Sequence, residues 1–319
     1  MLKIFRTDVY TQSVIILIVS LAMWMGVFIH PQPIPIDGGG PIFYWLTSHL
    51  SMRAGAIIAY LLVIFQAVLL NSLLYQHKII PQNTMMPALF YVLAMSVGSP
   101  TLTPMILGNT LLILAISQMM ITSTLLSLTI DKTFGAASLM SLATIFCPAM
   151  MVFYVPLIFN MFNYSLYNWR DWTMLILGIL APYILVETYY YMTGEMFYRN
   201  YLLFYEMTDI DIKFTHTVTN WAMSVAFILI LLLGLVAISV NTQSSTVNLQ
   251  KNTTTIMVFI IGGILYTMYS HLVPIETQSF SVPFACCASA LFVESRRKEA
   301  GANICFLIII AACIIYNIL

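Results

Sequence analysis

Residues 134–163, "FGAASLMSLATIFCPAMMVFYVPLIFNMFN", decide how this chain is laid out. The stretch is long enough for one tilted apolar helix, or for two short ones broken near Pro148. Proline lacks a backbone donor and clashes with the turn before it, so a break there is physically reasonable. If the stretch crosses once instead of twice, every later loop changes side.

The surrounding composition says what is being crossed. Of 319 residues, 61% are hydrophobic and 8% are charged. Soluble domains carry roughly 25% charged residues, so a charged shell cannot be built here. Apolar runs recur at 12–29, 54–75, 85–98, 104–126, 172–193, 217–240, 253–270, 281–294 and 302–318. This is the pattern of a polytopic helical membrane protein, not of short alternating barrel strands.

Basic residues concentrate on the cytoplasmic side of membrane proteins, and that rule chooses between the two layouts. With the N-terminus inside and 134–163 as a pair, the inside holds Lys3, Arg6, Lys78, Lys132, Arg170, Lys251, Arg296, Arg297 and Lys298. The outside then holds only Arg53, Arg199 and Lys213. A single crossing divides the same residues evenly. The expected fold is therefore all-α: a polytopic transmembrane bundle of about 11 membrane helices, N-terminus in, C-terminus out. It forms one integral membrane domain over 1–319, with outer loops at 30–53 and 193–217. Lys3 and Arg6 precede the first apolar run, but His30-Pro31-Gln32-Pro33 follows it in place of a small-x-small cleavage site. That run reads as an uncleaved span.

Balanced charge, 12 basic against 12 acidic residues, leaves no tract for nucleic acid. The five cysteines form no CxxC pair and no zinc-ligand spacing, and read as small core residues. There is no Walker A, no GxSxG turn and no paired-histidine zinc signature.

Chemistry, if present, falls on the outer side, where this topology places most of the loop carboxylates. The first outer loop, "HPQPIPIDGGGPIFYWLTSHLSMR" (30–53), runs from spaced prolines through Asp37 into Gly38-Gly39-Gly40. The glycines permit a turn and close backbone approach. Residues 41–52 can lie in the interface with Phe43, Tyr44 and Trp45 at headgroup depth. Asp37 is a candidate general base or metal ligand, or else an ordinary Asx turn residue. The second outer loop interleaves aromatics with Arg199, Asp209 and Asp211. The D-x-D pair could share a divalent cation as cofactor. The third outer segment supplies His271 and Glu276. Glu187 lies within a span near its outer end, a depth at which an ionisable group normally faces a partner, a wet cavity or the interface.

Three stretches resemble one family when taken together. They are "QAVLLNSLLYQHKIIPQNTMMPALFYVLAMSV" (66–97), "DKTFGAASLMSLATIFCPAM" (131–150) and "WRDWTMLILGILAPY" (169–183). They are similar to a group of multi-pass inner-membrane proteins from Bacteroidota, some labelled carotene oxygenase. The resemblance implies a Gram-negative inner membrane with a periplasmic outer side, and it carries over no catalytic residue. The five histidines have no paired spacing suited to iron. In layout the chain also resembles membrane glycosyltransferases that use polyprenyl-phosphate sugars. They too have a short first span, an outer loop with an acid, and an interfacial helix; the paired acid usual beside it is missing here. That likeness implies membrane lipid and a polyprenyl-phosphate-linked glycan as partners. Asp37 would be the catalytic base or metal ligand, with Arg53 or Arg199 on phosphate. Glu187, His271 and Glu276 would complete the substrate contacts. Two other classes stay open. A transporter or flippase would use Glu187 and broken helices, and a non-catalytic scaffold would use none of these residues.

Overall fold

Inside an apolar medium a backbone must satisfy its own hydrogen bonds, so the apolar runs become helices. The computed structural model describes residues 9–35, 39–80, 84–97, 101–122, 129–194, 218–242, 246–270, 278–294, 307–310 and 312–313. Among the described residues there is no strand. Helices α1 (Val9–Ile29), α2 (Pro41–Ser48), α3 (Met52–Gln76), α4 (Met86–Ser96), α5 (Pro104–Thr122) and α6 (Thr129–Phe146) lead to the break. After it come a 3₁₀ segment (Pro148–Phe153), α7 (Tyr154–Asn163), α8 (Trp169–Thr193), α9 (Val218–Thr242), α10 (Val247–Ser270) and α11 (Ser281–Glu294).

Among the described residues, four stretches are long and apolar enough to cross a membrane: α1, α3, α8 and Met223–Val240 of α9. Each turns large apolar side chains outward, among them Ile18, Leu61, Leu185 and Leu233. Stripes of that kind suit lipid better than water.

The centre is built differently. Every one of the 11 residues of α4 is buried, and so is Ser281–Ala290 of α11. By helical rise α4 is about 16 Å long, well short of the roughly 30 Å of a hydrocarbon core. The apolar run at 85–98 is thus a short interior helix, not a full-length one. It runs parallel to α1. At its start Met85 N–H donates to Gln12 Oε1 at 2.6 Å, and at its end Trp24 Nε1 donates to Ser96 Oγ at 3.0 Å. Phe90 stacks on Phe292 at 5.3 Å between ring centroids, and meets Phe284 edge-on at 6.3 Å. Aromatic contacts of this geometry add about 0.5–1.5 kcal/mol beyond the area they bury.

The 134–163 stretch is broken where proline predicts. α6 ends at Phe146, Cys147 adopts an extended conformation (φ −135°, ψ 94°), and Pro148 opens the 3₁₀ segment. The chain then turns back along α10. Phe153 packs near Tyr266 at 6.3 Å, and further on Asn163 Nδ2 donates to the Lys251 carbonyl at 2.8 Å. Tyr164 OH reaches Asn252 Oδ1 at 3.1 Å and Thr255 Oγ1 at 2.7 Å. Asn252 Nδ2 in turn lies 3.4 Å from His77 Nδ1. The helix ends thus fall into two groups, one around Gly40 and Phe146, the other around His77, Tyr164 and Asn252. Partial burial holds the His77 imidazole below its ordinary pKa, favouring the neutral ring.

α6 sits between α5 and α8, its main partners. Its approach to α8 depends on Gly178, where a Cβ would lie 2.7 Å from both the Ala137 Cβ and the Phe134 carbonyl oxygen. Above this contact Ser141 Oγ donates to the Ile179 carbonyl at 2.7 Å, within one turn of Pro182, which interrupts the α8 ladder. Thr144 Oγ1 and Tyr183 OH pair at 2.6 Å.

Gly178→Leu should force these helices apart and cost about 1–3 kcal/mol by overpacking. At Gly26 a Cβ would meet nothing within 4 Å, so Gly26→Leu serves as the control. Thermal denaturation of detergent-solubilised protein, followed by size-exclusion fluorescence, should show a lower midpoint for the first variant only.

Candidate functional site

The first loop is bolted to the break in 134–163. Gly40 N–H donates to the Phe146 carbonyl at 2.8 Å, and a Cβ on Gly40 would collide with the Ile145 carbonyl. A glycine is required because two backbones meet there. Pro41 opens α2 immediately afterwards, where a missing N–H costs nothing. α2 then presents two faces. Phe43 and Thr47 are buried and joined by a Thr47 Oγ1 to Phe43 carbonyl bond at 3.0 Å, while Tyr44 and Trp45 are exposed. Of the three aromatics, only Tyr44 and Trp45 face outward, and Phe43 packs into the core. Upstream, Ile34 packs where Gly55 of α3 lacks a side chain. The loop thus ties α3 to the end of α6.

Below this end lies a buried junction of uncharged polar side chains contributed by α3, α4, α5 and the entry to α11. Gln66 of α3 uses its whole amide. Its Nε2 donates to the Ile106 carbonyl and to Thr110 Oγ1, both at 2.6 Å, and its Oε1 accepts from Tyr91 OH at 2.7 Å. Ser281 lies beside the Tyr91 hydroxyl. Asn109 of α5 faces the same entry, with Nδ2 at 3.3 Å from the Gln278 carbonyl and 3.4 Å from Ser281 Oγ. Thr103 Oγ1 donates to Gln278 Oε1 at 3.1 Å. Gln278 adopts φ +54°, in the left-handed region, where a side chain larger than Asn is uncommon and is held by its surroundings.

Three polar atoms here are buried and unpaired: Asn109 Oδ1, Gln278 Nε2 and Thr101 Oγ1. Their residues are 0%, 4% and 5% exposed respectively. An unmade hydrogen bond on a buried polar group costs about 1–3 kcal/mol, so the junction is incomplete as a purely structural network. Chemically it offers one acceptor, one donor and one hydroxyl able to act as either, with no charged side chain among these residues.

The residues singled out from sequence are placed unevenly. Arg53 is exposed in the first turn of α3, and Glu187 is half-buried near the end of α8. α3 packs mainly on α4 and α5, whereas α8 packs on α6, so the two stand on helices with different neighbours. Tyr189 and Tyr191 beside Glu187 are exposed. Asp37, Arg199, Asp209, Asp211, His271 and Glu276 lie outside the described residues. Among the described residues no cluster of three or more His, Cys, Asp or Glu side chains is formed. Sequence reading passed over Gln66, Asn109 and Gln278. The available signal was an amide inside an apolar run, as in "VIFQAVLL" and "ILGNTLL".

The architecture so far defines a class, a helical bundle with membrane-length outer helices around short buried ones and an uncharged polar junction. No family model, no curated protein and no solved structure matches the chain.

Because Gln66 and Tyr91 share one network, their removal should be coupled. Gln66→Leu and Tyr91→Phe should each destabilise by about 1–3 kcal/mol. The double variant should lose less than the sum by about 1 kcal/mol. A double-mutant cycle on thermal or denaturant unfolding of the reconstituted protein checks this.

Proposed function

We propose that this is a multi-pass protein of the inner membrane, acting in envelope-glycan assembly on a lipid-linked sugar at the periplasmic face. The observation that carries the proposal is the junction: neutral hydrogen-bonding groups with unfilled valences, buried beneath a loop anchored at Gly40. Neutral amides and hydroxyls suit the hydroxyls of a sugar. An aromatic-bearing helix such as α2, with Tyr44 and Trp45 exposed, suits the interface where a polyprenyl chain enters. Asp37 would supply the base or metal ligand, three residues before Gly40. Arg53, exposed in the first turn of α3, offers a cation for phosphate.

The topology inferred with this reading is eleven crossings, cytoplasmic N-terminus and periplasmic C-terminus. Its support is that the two groups of helix ends coincide with the two sides expected from charge. His77, Lys78 and Lys251 fall in one group; Gly40, the Phe146 break and the turns at 101–103 and 278–281 fall in the other. A cysteine placed at Lys78 should resist a membrane-impermeant maleimide in intact cells, while one at Arg53 should label. The reverse pattern overturns the orientation.

A second reading, a carrier, draws on α4 and α11. Short interior helices whose ends meet at a polar site are how transporters build substrate sites within the bilayer.

Complementation of a deletion strain separates the two. At matched abundance, Asp37→Asn should fail to restore surface glycan and should accumulate a lipid-linked intermediate, read by gel and mass spectrometry. Full restoration by that variant overturns the enzymatic role and leaves the carrier.

A further inference from the structure

At the end of the bundle that holds His77, Tyr164 and Asn252, the turn between α7 and α8 presents aromatic rings and one cation outward. Its path is fixed by the way α7 stops. Ser165 takes φ +58°, in the left-handed region. Ser165 N–H then donates to the Phe162 carbonyl at 3.0 Å and Leu166 N–H to the Met161 carbonyl at 2.9 Å, the paired bonds of a helix closed by a left-handed residue. Met161 and Leu166 are buried in one cluster, while Tyr167, next in the chain, is 67% exposed. Phe162 joins the turn to α8, its ring centroid 6.4 Å from that of Tyr167 and 5.6 Å from that of Trp172.

α8 then opens on Trp169, which is 71% exposed, and on Arg170, whose Cζ stands 5.8 Å from the Trp169 ring centroid. Such a contact orients the guanidinium and leaves its N–H edge for an anion. Beyond Arg170 the same helix face continues as Thr173, Leu177, Leu180 and Ile184, all exposed. From Arg170 to Ile184 this stripe is about 21 Å long by helical rise, more than the roughly 15 Å that one leaflet contributes to the hydrocarbon core. A cation and two amphipathic rings at the head of an apolar stripe match a phospholipid in outline, headgroup above acyl chain.

Charge chooses the headgroup. The described cations of this end are Lys78, Lys132, Arg170 and Lys251, and its described acids are Asp131 and Asp171, the second only 2% exposed. The chain before α1 and after α11 adds Lys3, Arg6, Arg296, Arg297 and Lys298 against Asp8 and Glu299, and Glu294 closes α11. Cations prevail on either count, which favours an anionic lipid over a zwitterionic one.

We propose that this turn binds an anionic phospholipid, with the headgroup phosphate on Arg170, Tyr167 and Trp169 at headgroup depth beside it, and an acyl chain along Leu177, Leu180 and Ile184. The site rests on the membrane reading and not on the glycan one, since it lies at the opposite end of the bundle from Gly40 and Arg53.

The test titrates delipidated full-length protein in detergent with two probes, dioleoylphosphatidylglycerol and dioleoylphosphatidylcholine, and counts bound lipids by native mass spectrometry. Wild type should prefer the glycerol lipid about fivefold, the scale of one cation at an anionic surface. Arg170→Gln should bring that ratio close to one, and Trp169→Leu should lower it about twofold. Lys78→Asn removes an exposed cation from the same end, at a left-handed position (φ +55°) that asparagine tolerates, and should keep the ratio. Because all three altered side chains are exposed, the variants should elute from size exclusion as wild type does.

Equal wild-type affinity for the two probes overturns the proposal, as does an unchanged ratio in Arg170→Gln or Trp169→Leu. An equal fall in Arg170→Gln and Lys78→Asn means that the whole basic end attracts lipid without a site at this turn, and overturns it too. A wild-type dimer that Arg170→Gln or Trp169→Leu dissociates, with no lipid preference, makes the occupant a second copy of the chain and overturns the lipid.

Discussion

The Gly40 to Phe146 hydrogen bond is the constraint on which the arrangement of this end of the bundle depends. Proline at 148 cannot donate, so the end of α6 loses part of its helical bonding where the chain must reverse. In an apolar setting such groups cost several kcal/mol each when left bare. A donor brought from more than a hundred residues earlier in the chain fills one of them. Only glycine can deliver it, because a Cβ at Gly40 has no room beside the Ile145 carbonyl. Packing therefore explains the last glycine of the run. The loop holds its place because the break needs it.

That anchoring also explains how a chain with so few charges keeps a definite arrangement. Apolar side chains do not discriminate between helix neighbours when the surrounding medium is itself apolar, and specificity must come from close packing and hydrogen bonds. Both are visible here. Gly178 admits α6, and Gly234 of α9 lies against the Cys287 carbonyl and side chain of α11. Between these tight crossings run directional bonds: Trp24 to Ser96, Gln66 to Ile106 and Tyr164 to Thr255. Each pair joins residues 25 or more positions apart, so together they fix which helix lies beside which.

The break at Pro148 was legible because proline acts locally, through its own ring and missing donor. Charge bias over distant loops favoured the paired layout; the structure shows the break itself, with Tyr164, just past α7, bonded to Asn252. Burial of α4 was not legible. "MPALFYVLAMS" (86–96) is as apolar as a lipid-facing span, and only the neighbours packed on all its sides reveal it as interior. The polar junction was missed for a related reason. Acids in loops draw attention because their ionisation is conspicuous, whereas Gln66 and Asn109 are single neutral residues in long apolar runs. Their significance comes from convergence with Gln278 and Ser281, which lie some 170 or more positions further along the chain and which no local pattern predicts.

Neutrality at the centre is itself informative. A buried carboxylate or ammonium needs a matched partner, and removal of either leaves an uncompensated charge that costs several kcal/mol. Amides and hydroxyls carry a smaller penalty, so a site made from them can stand partly unfilled without unfolding its host. Gln66 is saturated by Tyr91, Ile106 and Thr110 and acts as the rigid base of the junction. Asn109 and Gln278 are each held by one amide atom and buried unpaired at the other. Helix neighbours are thus specified here by directional bonds whose partial loss leaves no bare charge.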